Sequence, residues 1–157
     1  MRSGKSVREL NKKSVEIDFI TEKIKFTLKG KARVKNWVKE VIQKEKQIPG
    51  TICCIFCSDN YLLQVNKKYL DHDFYTDIIT FDYTEKQGKK KVISGDLLIS
   101  VDRVKENARG LDITFEEELR RVMIHGILHL LGYKDKTAAH QKEMRKKENL
   151  YLKNIKD

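Results

Sequence analysis

The period of the apolar residues changes several times along the chain, and each change predicts an element. In residues 32–46, Val34, Trp37, Val38, Val41 and Ile42 recur at i, i+3, i+4, i+7 and i+8. That is one helical face with lysines opposite, and it makes Trp37 core rather than a platform for a nucleobase. Residues 15–20 and 25–28 read as short strands around a turn. Pro49-Gly50 turns the chain into a run whose composition and length fit a buried strand, Thr-Ile-Cys-Cys-Ile-Phe-Cys-Ser at 51–58. Ser58 or Asp59 then caps a helix with Tyr61, Leu62, Val65 and Tyr69 as its buried stripe and Lys67 and Lys68 off it. A polar, aromatic loop leads to a strand at 78–83 with Ile79, Phe81 and Tyr83 on one face. A basic hairpin loop at 85–91 joins it to a second strand at 92–100. Gly95 interrupts that strand, which predicts a bulge or a close backbone approach at one wall of a cleft.

The rest reads as helix. Ser100 caps a short one ended by Gly110. Thr114 with Glu117 forms a capping-box pattern opening a long one through Leu131, packed by Phe115, Leu119, Val122, Met123 and Leu130. Thr137 caps a last helix at 138–154, with Met144, Leu150 and Tyr151 inward and Arg145, Lys146 and Lys147 outward.

The candidate chemistry lies in the long helix. His125 and His129 are four apart, so both imidazoles leave one face a turn from each other. Gly132 follows the last apolar residue and suits a left-handed helix stop, which turns Asp135 back toward the histidines. Two neutral nitrogens and one carboxylate form a ligand set for a single metal ion, with a position left for water. His140, in the first turn of the last helix, competes with Asp135 as third ligand. His72, between two aspartates, reads as a solvated loop histidine. Position 126, where a metalloprotease carries its glutamate base, is Gly126, so a peptidase lacks its proton shuttle.

His125, Gly126, Leu128, His129, Leu130, Gly132 and Tyr133 resemble the signature of the YbeY endoribonucleases, His-Gly-x-Leu-His-Leu-x-Gly-Tyr-Asp-His. The likeness extends to Asn66-Lys-Lys-Tyr69, Thr76-Asp77-Ile-Ile-Thr-Phe81, Gly95-Asp96-Leu-Leu-Ile99, Met144 and Glu148, over roughly residues 15 to 152. The resemblance implies an α+β fold: a roughly four-stranded mixed sheet with packed helices and a zincin-like metal-bearing central helix. It also implies a metal-dependent, single-strand-specific endoribonuclease acting in 16S ribosomal RNA processing, 3′-end maturation and ribosome quality control. Its partners would then be ribosomal RNA and the small subunit. The cofactor would be one divalent ion, zinc by preference, on His125, His129 and Asp135. Asp77 and Asp96 are candidates for proton transfer only because the resemblance sets them near the cleft. Two positions depart from the pattern: Asp135 stands where the family has a third histidine, and Leu70 where it has an arginine. An anionic third ligand lowers the charge of the ion, so its water is expected to be less acidic than at a three-histidine site.

Composition narrows the partners. The 157 residues carry 33 Lys plus Arg against 23 Asp plus Glu, a net charge of +10, which favours a polyanion. Lys67, Lys68, Lys89, Lys90, Lys91 and Lys134 are the candidate phosphate contacts. Residues 1–14 read as a basic flexible tail and 15–157 as one domain. No apolar stretch reaches membrane-span length and the N-terminus lacks the apolar segment of a signal peptide, so a cytoplasmic protein without a membrane or nucleotide partner is expected. Cys54 and Cys57 have the spacing of a redox pair but point to opposite faces of a strand, which favours packing. The alternative classes are a non-enzymatic, metal-stabilised ribosome-assembly factor and, further off, a metalloprotease. The two-His, one-carboxylate set also suits a non-haem iron oxygenase, but the basic charge and the lack of an evident cosubstrate pocket argue against it.

Overall fold

A computed structural model describes residues 16–155, so the expected basic tail lies outside the described residues. Among the described residues, five strands, β1 (Glu16–Glu22), β2 (Ile48–Cys57), β3 (Ile78–Asp82), β4 (Glu85–Gln87) and β5 (Lys90–Ser100), form a mixed sheet. Its path is β1-β2-β5-β3, with the three-residue β4 paired to β5 beyond the four strands expected. β1 and β5 flank β2 in parallel, whereas β3 and β4 run antiparallel to β5. Parallel neighbours need a crossover, and α1 (Lys31–Lys44) supplies the one between β1 and β2. The other helices of the described residues are α2 (Asp59–Leu70), α3 (Val101–Leu111), α4 (Phe115–Leu130) and α5 (Ala138–Leu152).

Alternation along the strands divides the interior. Ile17, Ile52, Cys54, Phe56, Ile93, Leu97 and Ile99 pack with α1, α4 and α5, while Cys57, Ile79 and Leu98 meet Leu62 of α2 on the other face. The two cysteines therefore do point apart. α4 is the innermost helix, with Met123, Ile124, Ile127 and Leu128 fully buried. Each such side chain contributes about 1.5–3 kcal/mol of burial. Gly126 lets α4 lie close against the sheet, since a Cβ there would stand 2.7 Å from Ile78 Cδ1 and 2.9 Å from Leu97 Cδ2.

Several expectations are corrected. Residues 25–28 join no strand, because the chain leaves β1 as a crossover and spends Phe26 against Phe56 and Phe115 instead. Pro49 and Gly50 lie inside β2, and the register irregularity falls there, between Pro49 and Ile52, rather than at Gly95. Gly95 is the site of a close approach: a Cβ would be 2.5 Å from the Phe81 carbonyl oxygen. Since β3 covers that edge of β5, the cleft wall is β3. α3 runs through Gly110 to Leu111, and Asp112 takes the left-handed turn with φ 56°. Tyr69 and Leu150 are exposed rather than packed, Asn66 takes the buried place on α2, and Lys147 turns inward.

Candidate metal centre

α4 begins where Thr114 Oγ1 accepts the Glu117 N–H at 3.1 Å, and three glutamates in its first turn meet the positive end of the helix dipole. It ends in a Schellman turn. Gly132, at φ 105°, donates its N–H to the His129 carbonyl, and Tyr133 donates to that of Leu128, each at 3.0 Å. This turn folds Asp135 over the helix end. Asp135 Oδ2 lies 3.2 Å from Nε2 of both His125 and His129, and the two Nε2 atoms are 3.0 Å apart.

The remaining ring nitrogens decide what that triangle can hold. His125 Nδ1 donates to Glu148 Oε2 at 2.7 Å, and His129 Nδ1 donates to the Tyr133 carbonyl at 3.0 Å. With both Nδ1 protons engaged, each neutral imidazole aims an Nε2 lone pair at the same spot beside a carboxylate oxygen. In that neutral state neither can hydrogen-bond the other, and the converging lone pairs suit a cation. Ligand atoms about 2.0–2.1 Å from a tetrahedral ion stand roughly 3.3 Å from one another, close to the spacing here. The residues fit one metal ion, and among the described residues no other group of His, Cys, Asp and Glu converges in this way.

Electrostatics supports the same frame. Burial disfavours charge on Glu148, but hydrogen bonds from His125 and from Arg121, at 2.9 Å, outweigh it and hold the carboxyl below its usual range. Burial likewise opposes the charged form of His125, yet Glu148, Asp135 and Asp77 together leave its pKa raised. Metal binding would displace that proton.

The triad opens into a cleft walled by β3 and the α2–β3 loop, with Leu70, His72, Phe74, Asp77 and Thr80 along it. Burial raises the Asp77 carboxyl, and Asn107 Nδ2 donates to its Oδ2 at 3.3 Å. Asp96 is not brought here. It pairs with Phe81 in the sheet and lies, like Leu98, on the face turned away from α4, where Tyr83 donates to it at 3.4 Å. His140 lines a separate pocket with Glu45, Gln47 and Lys134, and His72 stacks on Phe74 at 4.9 Å outside the triad. The lysines stay at the surface: Lys67 pairs with Asp73, Lys68 lies over Tyr69, and Lys89, Lys90 and Lys91 form the β4–β5 hairpin end. Glu148, quoted above only for the resemblance, braces His125. Its signal was a charged residue in the Met144, Glu148, Tyr151 stripe, which a buried helix face tolerates only with partners.

Fold and site define the class: an α+β protein whose central helix carries a His-His-Asp triad able to hold one metal ion. The chain belongs to the endoribonuclease YbeY family, whose model matches residues 16–156. A protein of Cytophaga hutchinsonii named Endoribonuclease YbeY is 48% identical over 140 residues, covering 89% of this chain and 96% of that one. One of the same name from Flavobacterium psychrophilum is 50% identical over 130 residues, 83% and 90% of the two chains. The solution structure of TM1509 from Thermotoga maritima is 31% identical, with a TM-score of 0.60 over 88% of this chain and 87% of that one.

Proposed function

We propose that this chain is a zinc-dependent endoribonuclease acting in the cytoplasm on single-stranded segments of small-subunit ribosomal RNA, from one domain spanning residues 15–157. The observation that carries this reading is the convergence of His125 Nε2, His129 Nε2 and Asp135 Oδ2 within 3.2 Å at the floor of an open cleft. Membership of the family supplies the substrate class. A divalent ion held there supplies Lewis acidity toward a phosphoryl oxygen and acidifies a bound water.

The protein contributes orientation and charge. Glu148 and the Tyr133 carbonyl keep both Nε2 lone pairs pointed inward. Asp77, on the cleft wall with its carboxyl raised by burial, is the group we assign to hold a proton for the leaving oxygen. The lysines at 67, 68, 89, 90, 91 and 134 serve as phosphate contacts, which position the chain of nucleotides without reading sequence. A peptidase is disfavoured structurally, since position 126 is pressed against Ile78 and Leu97 and has no room for a glutamate. No helix among the described residues is long and apolar enough to cross a membrane.

The test is metal analysis of protein purified without chelator, followed by incubation with structured ribosomal RNA and with casein. Stoichiometric zinc and RNA cleavage that stops in His129→Ala are expected. A metal-loaded protein that binds but never cleaves RNA would instead favour the assembly-factor class.

A further inference from the structure

Lys147 and Glu148 are neighbours on α5, and they lead to the two histidines by different routes. Glu148 reaches His125 directly, at 2.7 Å. Lys147 reaches His129 through other groups. Its Nζ donates to Glu45 Oε2 at 3.0 Å, and the Tyr133 and Tyr151 hydroxyls donate to the same carboxylate. The Tyr133 carbonyl in turn accepts the Nδ1 proton of His129. Glu45 is the first residue past α1, 88 positions from Tyr133.

We propose that Glu45 is a positioning residue for the metal ligands: by gathering Tyr133, Tyr151 and Lys147 on one carboxylate, it fixes the peptide that orients His129 and begins the segment leading to Asp135. This rests on the metal reading above and adds a residue remote from the ion. The backbone of Tyr133 is committed at both ends, its N–H to Leu128 and its carbonyl to His129. Gly132, with no side chain, cannot brace the turn, so the brace falls on the Tyr133 ring, whose hydroxyl is 2.5 Å from Glu45 Oε1.

The cluster is closed electrically as well. Lys147 Nζ lies 5.6 Å and 5.9 Å from the centres of the Tyr133 and Tyr151 rings, facing the anion and both aromatic faces. Burial opposes charge on Glu45, but the two phenols and Lys147 outweigh it and keep the carboxyl below its usual range. One turn of α5 thus secures the Nδ1 acceptors of both imidazoles, through Glu148 on one side and through Lys147, Glu45 and Tyr133 on the other.

Zinc affinity of the metal-free full-length chain, read by competition with a chromophoric chelator, tests this. Groups that orient a ligating histidine typically matter by 10–100-fold, so Glu45→Gln and Tyr133→Phe are each expected to weaken zinc about tenfold. Their double variant falls no further than the weaker single, because both act on one path. Glu45→Gln with Glu148→Gln multiplies, because these brace different rings. Leu62→Ala, on the opposite face of the sheet, lowers the melting temperature and leaves zinc affinity unchanged, which separates lost stability from lost positioning. Should Glu45→Gln fail to fold, Tyr133→Phe carries the test with the loss of a single hydroxyl. Parental zinc affinity in the folded variants overturns the proposal and leaves the cluster a fold-stabilising ion pair. A parent chain that takes up no zinc overturns the metal reading itself, and this inference with it.

Discussion

On one face of the sheet, Ile17, Ile52, Phe56, Leu97 and Ile99 lie under α1, α4 and α5; on the other, Cys57, Ile79 and Leu98 meet Leu62 of α2 and a few half-buried neighbours. The deep face also holds the buried charge Glu148, matched by His125 and Arg121. The shallow face runs out into exposed Tyr69 and Tyr83 and half-exposed Asp96. A metal site needs ligand atoms held to a fraction of an ångström, and only a closely packed helix with second partners on its histidines supplies that. The two histidines therefore project from the helix whose other face is fully buried, while the opposite side of the sheet carries the smaller apolar cluster.

The largest expected effect breaks the deep face at its ligands. His125→Ala and His129→Ala each abolish bound metal, while Cys57→Ala on the shallow face retains it, as elemental analysis of the purified variants would read. Metal persisting at one equivalent in the histidine double variant would remove the site from this face. Next in size is Asp135. Asparagine keeps the shape and loses the anion, so Asp135→Asn is expected to weaken metal binding sharply, and Asp135→His to restore a three-imidazole set. With three neutral ligands the bound ion keeps more charge and its water ionises at lower pH, so the rising limb of a pH–rate profile moves toward acid. Metal titration of both variants beside His140→Ala assigns the ligand: unchanged affinity in Asp135→Asn together with loss in His140→Ala transfers it to His140.

Stability sharpens the comparison at a smaller scale. Ile127→Ala leaves a cavity in the deep core and is expected to cost about 4 kcal/mol, whereas Leu62→Ala, beside half-buried neighbours able to close in, costs about 2 kcal/mol. Urea unfolding of the metal-free variants measures both, and equal losses would show that the two faces are packed alike. The smallest effect lies on the hairpin beyond either face. Neutralising Lys89, Lys90 and Lys91 together reduces the salt slope of single-stranded RNA binding by about 2, with little dependence on sequence. An unchanged slope means that these lysines are solvated and touch no phosphate.

What the chain determined by itself is local. Ser58, Ser100, Thr114 and Thr137 each cap the helix that follows, and the side-chain oxygen of each accepts an N–H three residues on. The α1 stripe is buried throughout. The His125, His129 and Asp135 geometry was legible for the same reason, since a helical turn and a glycine stop within eleven residues bring the three together. Tertiary structure decided the rest. Glu148 comes to His125 from 23 positions away and Glu45 to Tyr133 from 88; the Met144, Glu148, Tyr151 stripe shows that Glu148 needs a partner but not which one, and the segment around Glu45 shows neither. Asp96 faces away from the triad because the β3–β5 register pairs it with Phe81. Tyr69 and Leu150 hold stripe positions yet stay exposed, and Lys147 turns inward to an anion just past the end of α1. A hydrophobic period records which side of an element is buried, whereas the partner met there depends on how distant elements pack, and that is settled only when the whole chain folds.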